Sequence, residues 1–483
     1  MPISSHRPSL GYPLRWGLGG IAVATPIFLI SAISSRFEYE LKNVDKPIIV
    51  FVALLMAAGA AYVWVVLRFE EGRPDRGLLA WVFLLGLLMR IAFFGSTPIL
   101  EDDHYRYLWD GGVVAGGFNP YRYAPRDVLE CQADAVPQQL CQLGREVPTI
   151  LKRINYPWLR TIYPPLTQTA FALAHVIKPW SLDAWRIVLL ALDILAFYSL
   201  FSVFRGLHLS LRGAVIYWWN PLLVKEIYNS AHMDLLLVPL LLGCFLLASR
   251  ERVVLASGTL GLAVGVKFWP VLLLPLVLRP VLSRARILLP ALALFVGISF
   301  GMFLPLYMGG LDSRSGFIAY SRFWEMNDTL FMLVLWGVQG VKVLLGADPA
   351  SAQGMARATV VCILVLVVVL VVRRDDHRPV VIGRRFLSII AALYLLSPTQ
   401  FPWYSIWMLP FLAIQPRISL LLLTALLPLY YLRFHFAARD MVGVHDNGIV
   451  WLEFIPVWCL LAWEWYKGHT LPVRRSIPDG YVK

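Results

Sequence analysis

The chain has 483 residues, 58% of them apolar and only 15% charged, with mean hydropathy +0.66. A soluble domain of this size would need far more polar surface. The formal charge of +13 does not point to nucleic acid, because Lys and Arg cluster in short stretches between apolar runs and no basic stripe is interleaved with aromatics for bases to stack on.

Apolar runs recur along the chain, at 14–34, 47–67, 77–95, 184–204, 212–224, 234–249, 252–267, 268–279, 286–307, 356–372, 385–397, 403–415, 418–432 and 448–466. Most are long enough to cross roughly 30 Å of hydrocarbon as a helix. Backbone groups in lipid must pair within their own segment, so the runs are read as helices and the fold as all-α, polytopic, with about 12 to 14 spans. No stretch shows the alternation of a barrel strand. The first run is too long for a signal-peptide core and lacks a convincing cleavage site, so it is read as an uncleaved span. The run 268–279 is short and forms, with 252–267, a candidate broken pair. The stretch 328–345 could span, re-enter or lie flat.

Loop charge orients the bundle. One set of loops carries Arg7 and Arg15; Arg68, Arg73 and Arg76; Arg205 and Arg212; Arg250 and Arg252; Arg279, Arg284 and Arg286; Arg373, Arg374, Arg378, Arg384 and Arg385; Arg417; and Lys467, Arg474, Arg475 and Lys483. The alternate loops carry fewer than half as many basic residues. The positive-inside rule then puts both termini in the cytoplasm of a plasma (inner) membrane protein. The longest loop, 96–183, falls outside. The division expected is three spans in 1–95, an extracytoplasmic loop over 96–183, and the remaining bundle in 184–483.

Within that loop Leu159, Ile162, Tyr163, Leu166, Ala170, Leu173 and Ile177 recur at helical spacing. The apolar part after Pro164 and Pro165 is too short to span and is expected to lie in the interface as an amphipathic helix. Cys131 and Cys141 share the loop, and an oxidising exterior favours a disulfide between them over two free thiols. Cys244, Cys362 and Cys459 fall in spans as packing residues, and no cysteine spacing suggests zinc.

The sharpest chemical signal is Glu101-Asp102-Asp103-His104-Tyr105-Arg106-Tyr107-Leu108-Trp109-Asp110-Gly111, directly after a span. Acidity in a first helical turn favours the helix dipole, but one acid would suffice for that. Three crowded carboxyls suit a site that needs a base at the water–lipid boundary. On a helix Asp103, Tyr107 and Asp110 share one face, with Asp102, Arg106 and Trp109 on the next.

A second cluster, Lys225-Glu226-Ile227-Tyr228-Asn229-Ser230-Ala231-His232-Met233-Asp234, separates two spans. A capped connection explains Asn229 or Ser230 but not Lys, Glu, His and Asp together at a membrane boundary. Lys267, in Gly265-Val266-Lys267-Phe268-Trp269-Pro270, is either a snorkelling lysine or a cation aimed at a lipid phosphate. Tyr163-Pro164-Pro165, Trp324-Glu325-Met326-Asn327 and Phe401-Pro402-Trp403-Tyr404 also fall at exterior ends, the last read as aromatic belt. His435, Arg439, His445 and Asp446 are weaker candidates.

From Glu101–Gly111, Asn119-Pro120-Tyr121, Tyr163-Pro164-Pro165 and Asn220-Pro221 with His232-x-Asp234, the chain resembles the GT-C superfamily of membrane glycosyltransferases. It looks closest to the polyprenol-phosphate-mannose-dependent mannosyltransferases of glycosyltransferase family 87, over about residues 80 to 410. The hairpin 14–68, ahead of the large loop, departs from several relatives. The resemblance implies a bundle of GT-C type, a catalytic base at Asp102 with Asp103 beside it, and a polyprenyl-phosphate-linked sugar as donor. Mannose is inherited from the resemblance alone. The acceptor would be a lipid, glycan or protein. Glu101, Arg106, Tyr107, Tyr163, Lys225, Glu226, Asn229, His232, Asp234, Lys267, Trp324 and Asn327 are expected to bind substrate. No metal ligands are assigned, although acids such as Glu226 and Asp234 leave a Mg2+ or Mn2+ site open.

The reaction expected is a single inverting displacement at the exterior face. No Gly-rich loop or cytoplasmic nucleotide-sugar domain is present in the sequence. The rival readings are a transporter or flippase of a lipid-linked sugar, whose two related halves are not visible here, and a glycan ligase or polymerase using lipid diphosphates.

Overall fold

The computed structural model describes residues 11–68, 76–131, 136–207, 210–374 and 376–468. Arg7, Arg73, Arg474, Arg475 and Lys483, used above to orient the chain, lie outside the described residues. Helix accounts for 77% of the structure, and no strand occurs among the described residues. Two isolated bridges, Arg160 with Ser315 and Met326 with Thr399, are the only strand-like pairings among them.

Eight helices there are long and apolar enough to cross a membrane, and a ninth results if Arg212–Asn229 and Met233–Ser249 are one interrupted span. The chain is a multi-pass membrane protein. Its outward apolar side chains fit this. Along Ala285–Gly309, Leu289, Val296, Phe300 and Tyr307 are all exposed, as a lipid-facing helix requires and a soluble one would not tolerate as a contiguous stripe.

Several apolar runs fold as shorter pieces than their hydropathy suggests. Residues 268–281 alternate between 3-10 turns (Trp269–Leu273, Arg279–Val281) and one α-turn (Leu274–Leu278). Pro270, Pro275 and Pro280 each remove a backbone donor, so no continuous α-helix can form. The 403–415 run likewise opens as the 3-10 segment Pro402–Met408 before Leu409–Ile414. The ambiguous 328–345 stretch is the helix Leu330–Leu344 of 15 residues, about 22 Å long at 1.5 Å per residue and short of a full crossing.

The chain folds as two compact units. One combines residues 1–99, 200–229 and 412–483. Its first two spans, Tyr12–Ile33 and Ile48–Arg68, pack together. Its polar groups are satisfied inside the apolar core, where a lone one would be costly. Tyr62 Oη donates to the Ile216 carbonyl at 2.8 Å. Arg90 donates to the Trp218 carbonyl at 2.8 Å and lies 3.5 Å over the Trp218 ring. Gly86 makes room there, since a Cβ would come within 2.2 Å of that indole. Glu464 accepts from the backbone N–H of Ile418 and from Ser419 Oγ, at 2.7 and 2.6 Å. It thereby caps Ile418–Leu426 from another helix.

The second unit combines residues 100–199 and 230–411. Its distinctive part is a small helical cap. Asp103–Ala115 packs against Pro165–Ile177, with Pro125–Glu130, Gln138–Glu146 and Pro148–Lys152 alongside. Trp109, Val128, Leu140, Leu151 and Ile154 form its core. Gly111 permits the closest approach, because a Cβ would lie 2.5 Å from the Phe171 carbonyl oxygen. Cys131 and Cys141 are joined in a disulfide, tying the end of Pro125–Glu130 to Gln138–Glu146. Pro165–Ile177 has the features expected of an interfacial helix. It buries Thr167, Gln168 and Phe171 and exposes Leu173, Val176 and Ile177.

Candidate active site

The acidic run is preceded by Leu100, whose φ of +61° puts a non-glycine residue in the left-handed region. Asp102 is the N-cap of Asp103–Ala115 but makes no side-chain cap hydrogen bond. Simple helix capping therefore does not explain it. Its carboxylate instead accepts from the side-chain amide of Asn155.

Asp103, one residue on, faces another way. Tyr107 Oη donates to Asp103 Oδ2 at 3.4 Å, and the same hydroxyl lies 3.5 Å from His232 Nδ1. His232 Nδ1 is 3.9 Å from Asp103 Oδ2, an ion pair when the ring is protonated. The Asp103 side chain remains 34% exposed. Burial raises its carboxyl above the ordinary carboxylate range, opposed by a Tyr163 hydrogen bond and reinforced by the negative charge of Asp234.

The next layer is a partly open ion pair. Lys267 Nζ lies 2.7 Å from Asp234 Oδ1, and Trp407 Nε1 donates to the same oxygen at 2.7 Å. The ammonium also sits 3.8 Å over the Tyr404 ring and 4.7 Å from that of Trp407. Backbone contacts fix the lysine. Leu166 N–H donates to the Gly265 carbonyl and Thr167 Oγ1 to that of Val266, at 3.0 and 3.2 Å. The start of Pro165–Ile177 thus holds the turn that presents Lys267. His232 is stacked 3.8 Å from Trp403, which is stacked 4.3 Å from Phe401.

The remaining candidates divide. Tyr163 packs edge-on against Tyr107 at 5.0 Å. Glu101, partly buried, immediately precedes the aspartate pair. Trp324 packs on Tyr320 and Tyr156, and its carbonyl accepts from Arg357. Asn327, with φ of +53°, donates to the Gln400 carbonyl at 3.3 Å. Arg106 pairs with Asp110 at 3.2 Å and donates to the Leu159 carbonyl at 2.8 Å, partners that brace the cap.

The 225–234 cluster is split. Lys225 and Glu226 lie wholly buried in the first unit, 3.4 Å apart on a π-helical turn, Lys225–Asn229. Tyr431 Oη donates to Glu226 at 2.7 Å, and Lys225 donates to that hydroxyl. Asn229 binds the Thr97 carbonyl and the Ile99 N–H, at 2.8 and 2.9 Å. His445, Asp446 and Arg433 form a separate polar group in that unit. Arg439 bonds to His435.

Among the described residues no group of three or more His, Cys, Asp or Glu is gathered as for a metal ion. Glu226 and Asp234, the acids considered above for Mg2+ or Mn2+, each already hold a lysine.

Sequence reading missed several members. Trp403 and Tyr404 are read there as belt residues, yet Trp403 is buried on His232 and Tyr404 lies under Lys267. The Phe-Pro-Trp-Tyr cluster was the available signal, since Pro402 opens a 3-10 segment, Pro402–Met408, in which Trp403 and Trp407 are buried. Nothing local marks Asn155 or Trp407. Asp328, next in sequence to Asn327, has its carboxyl pushed up to about 7, chiefly by burial and then by Glu325.

Residues 16–282, more than half of the chain, match the family described as alpha-(1->6)-mannopyranosyltransferase, N-terminal domain. The chain belongs to this mannosyltransferase family. No curated protein matches it. The matched segment holds Asp102, Asp103, His232, Asp234 and Lys267. Trp324, Asn327 and the Phe401–Trp407 aromatics lie beyond it. Mannosyltransferase membership supports glycosyltransferase activity and fits the GT-C resemblance of the acidic loop.

Proposed function

We propose that the protein transfers mannose from a polyprenyl-phosphate carrier to a primary hydroxyl of a saccharide acceptor on the extracytoplasmic face of the plasma membrane. The observation that carries this is the pair Asp102–Asp103 in a mannosyltransferase family member. Its two carboxylates diverge, one toward Asn155 and the other toward His232, in the same unit as the Lys267–Asp234 pair. The alpha-(1->6) linkage that describes the family supports an acceptor oxygen at carbon 6. Family 87 of the GT-C superfamily remains the finer assignment we favour. The Cys131–Cys141 disulfide supports an oxidising compartment for the cap, with both termini cytoplasmic.

A sugar hydroxyl is a poor nucleophile at neutral pH and needs a positioned base. Asp102 accepts the hydroxyl proton as the oxygen attacks C1. The bond from C1 to the phosphate oxygen breaks, and the polyprenyl phosphate departs with added negative charge. Lys267, joined by His232 when its ring is protonated, is placed to compensate it. Asp103 orients His232 and Tyr107. One inversion that ends in an α-linkage requires a donor whose mannose is β-linked to phosphate.

The test is reconstitution of the full chain in proteoliposomes with polyprenyl-phosphate mannose and a short mannoside. Formation of an α-(1→6) product, lost in Asp102→Asn with expression retained, supports the reading. Transfer only from a nucleotide sugar, sugar transport without bond formation, or near-normal turnover in Asp102→Asn overturns it.

A further inference from the structure

The segment that supplies Asn155 to Asp102 continues into an exposed aromatic surface that the transfer chemistry does not use. Tyr156 and Trp158 are 48% and 50% exposed. Their rings meet edge to face at 5.6 Å, and Tyr156 packs against Trp324 at 4.8 Å. Tyr156 has φ of +50°, an unfavourable backbone for a tyrosine that points to a constraint beyond folding. Backbone contacts hold it there. Leu159 N–H donates to the Tyr156 carbonyl, and Arg126 N–H donates to that of Pro157, both at 2.9 Å.

Exposed Tyr and Trp in a membrane protein often form an interfacial belt. The surroundings here argue for water instead. The ion pairs Arg126–Glu130, Arg314–Asp127 and Arg160–Asp312 belong to the same cap and its neighbouring loop. Arg126 and Glu130 are themselves well exposed, at 61% and 46%. A polar, ion-paired face bearing two open aromatic rings suits a saccharide. The C–H face of a pyranose lies on an aromatic ring while its hydroxyls bond to polar groups around the rim.

The surface is also continuous with the candidate site. Trp324 packs on Tyr320, whose hydroxyl is 2.8 Å from that of Tyr404, and Tyr404 lies under Lys267. On the other side Asn155 reaches Asp102. One end of the surface therefore leads to the base and the other to the cation.

We infer that Tyr156, Trp158 and Trp324 form an acceptor subsite that binds the penultimate sugar of a mannoside, leaving its terminal residue to reach Asp102. This rests on the transferase reading above and assigns the residues that hold its acceptor. The carrier's phosphate belongs with Lys267, whereas an uncharged saccharide belongs on the rings.

The experiment uses the full chain in lipid nanodiscs, a short α-(1→6)-linked mannoside as probe, and Tyr156→Ala, Trp158→Ala and Trp158→Phe. Acceptor KM, donor KM and kcat are measured, and mannoside binding without donor is followed by calorimetry. Both alanine variants should raise acceptor KM about tenfold, the scale of one lost aromatic contact, with donor KM moving less than twofold. Trp158→Phe should restore most of the loss. Unchanged acceptor KM and binding heat would make the surface a membrane belt and overturn the inference, as would a rise confined to donor KM. Should the wild-type protein transfer no mannose, the parent reading fails. Calorimetry then still decides this one: binding heat lost in Trp158→Ala upholds the subsite, and no heat with the wild type overturns it.

Discussion

Lys225 with Glu226 and Lys267 with Asp234 are two cation–carboxylate pairs, one in each unit, with different surroundings. The first is wholly buried, shares Tyr431 between its members and sits on a π-helical turn. In the second the lysine remains 17% exposed, and its carboxylate takes an indole N–H besides. A sealed pair has little left to offer a ligand and holds its turn in one conformation. A pair left partly open, with aromatic faces around the ammonium, can exchange its partner for an incoming phosphate. Pairs that read alike in sequence thus differ in exposure, and on the proposed mechanism only the open one meets the donor.

Substitutions can break this comparison. Asp102→Asn should lower turnover by about 10²–10⁴-fold, the range for loss of a general base, in a radiolabelled mannose transfer assay with donor binding retained. Lys267→Met should cost about 10²–10³-fold in kcat, as removal of a charge-stabilising group does. Lys267→Arg should recover part of it. Lys225→Met should act on the fold, costing about 3–5 kcal/mol by leaving Glu226 buried without its cation. Pairing it with Glu226→Gln should recover much of that in a thermal unfolding series. Should Lys225→Met instead spare stability and abolish donor binding, the two pairs would have exchanged roles.

Smaller effects sharpen the picture. Cys131→Ser should destabilise the cap by about 2–3 kcal/mol, as expected for the short loop the disulfide closes, read by proteolysis between residues 125 and 155. Asp328 titrates near 7. Its folded form holds the proton more tightly than the unfolded chain, so its favourable contribution is complete below the ordinary carboxylate value and is lost as pH rises through 7. Asp328→Asn should therefore raise the thermal midpoint most at pH 8, less at pH 5, and change it little below the ordinary carboxylate value.

Much of the fold was legible because hydropathy and length constrain a chain in lipid so tightly. The all-helical bundle, the cap's short helix after Pro164-Pro165 and the Cys131–Cys141 bond all follow from local signals. Proline spacing decided where that reading overcounted continuous helices, as at Pro270, Pro275 and Pro280. Around the site, Asp103, His232, Asp234 and Lys267 announced themselves as charges at a boundary. What they pair with did not, since the contacts of His232 with Trp403 and of Asp102 with Asn155 span long stretches of chain. Lys225 and Glu226 lie buried in the other unit for the same reason: a charge beside a span does not declare which way it faces.

Leu100, Ala231 and Asn327 share a left-handed backbone, each next to or at a residue of the candidate site. Glycine would adopt those torsions with less steric penalty, so each position has an easier alternative that the chain does not use. Glycine there would relieve the backbone but add unfolded-chain entropy and, at Asn327, remove the hydrogen bond to Gln400, while letting the reacting groups wander. The tighter torsions hold those groups where a looser chain would not.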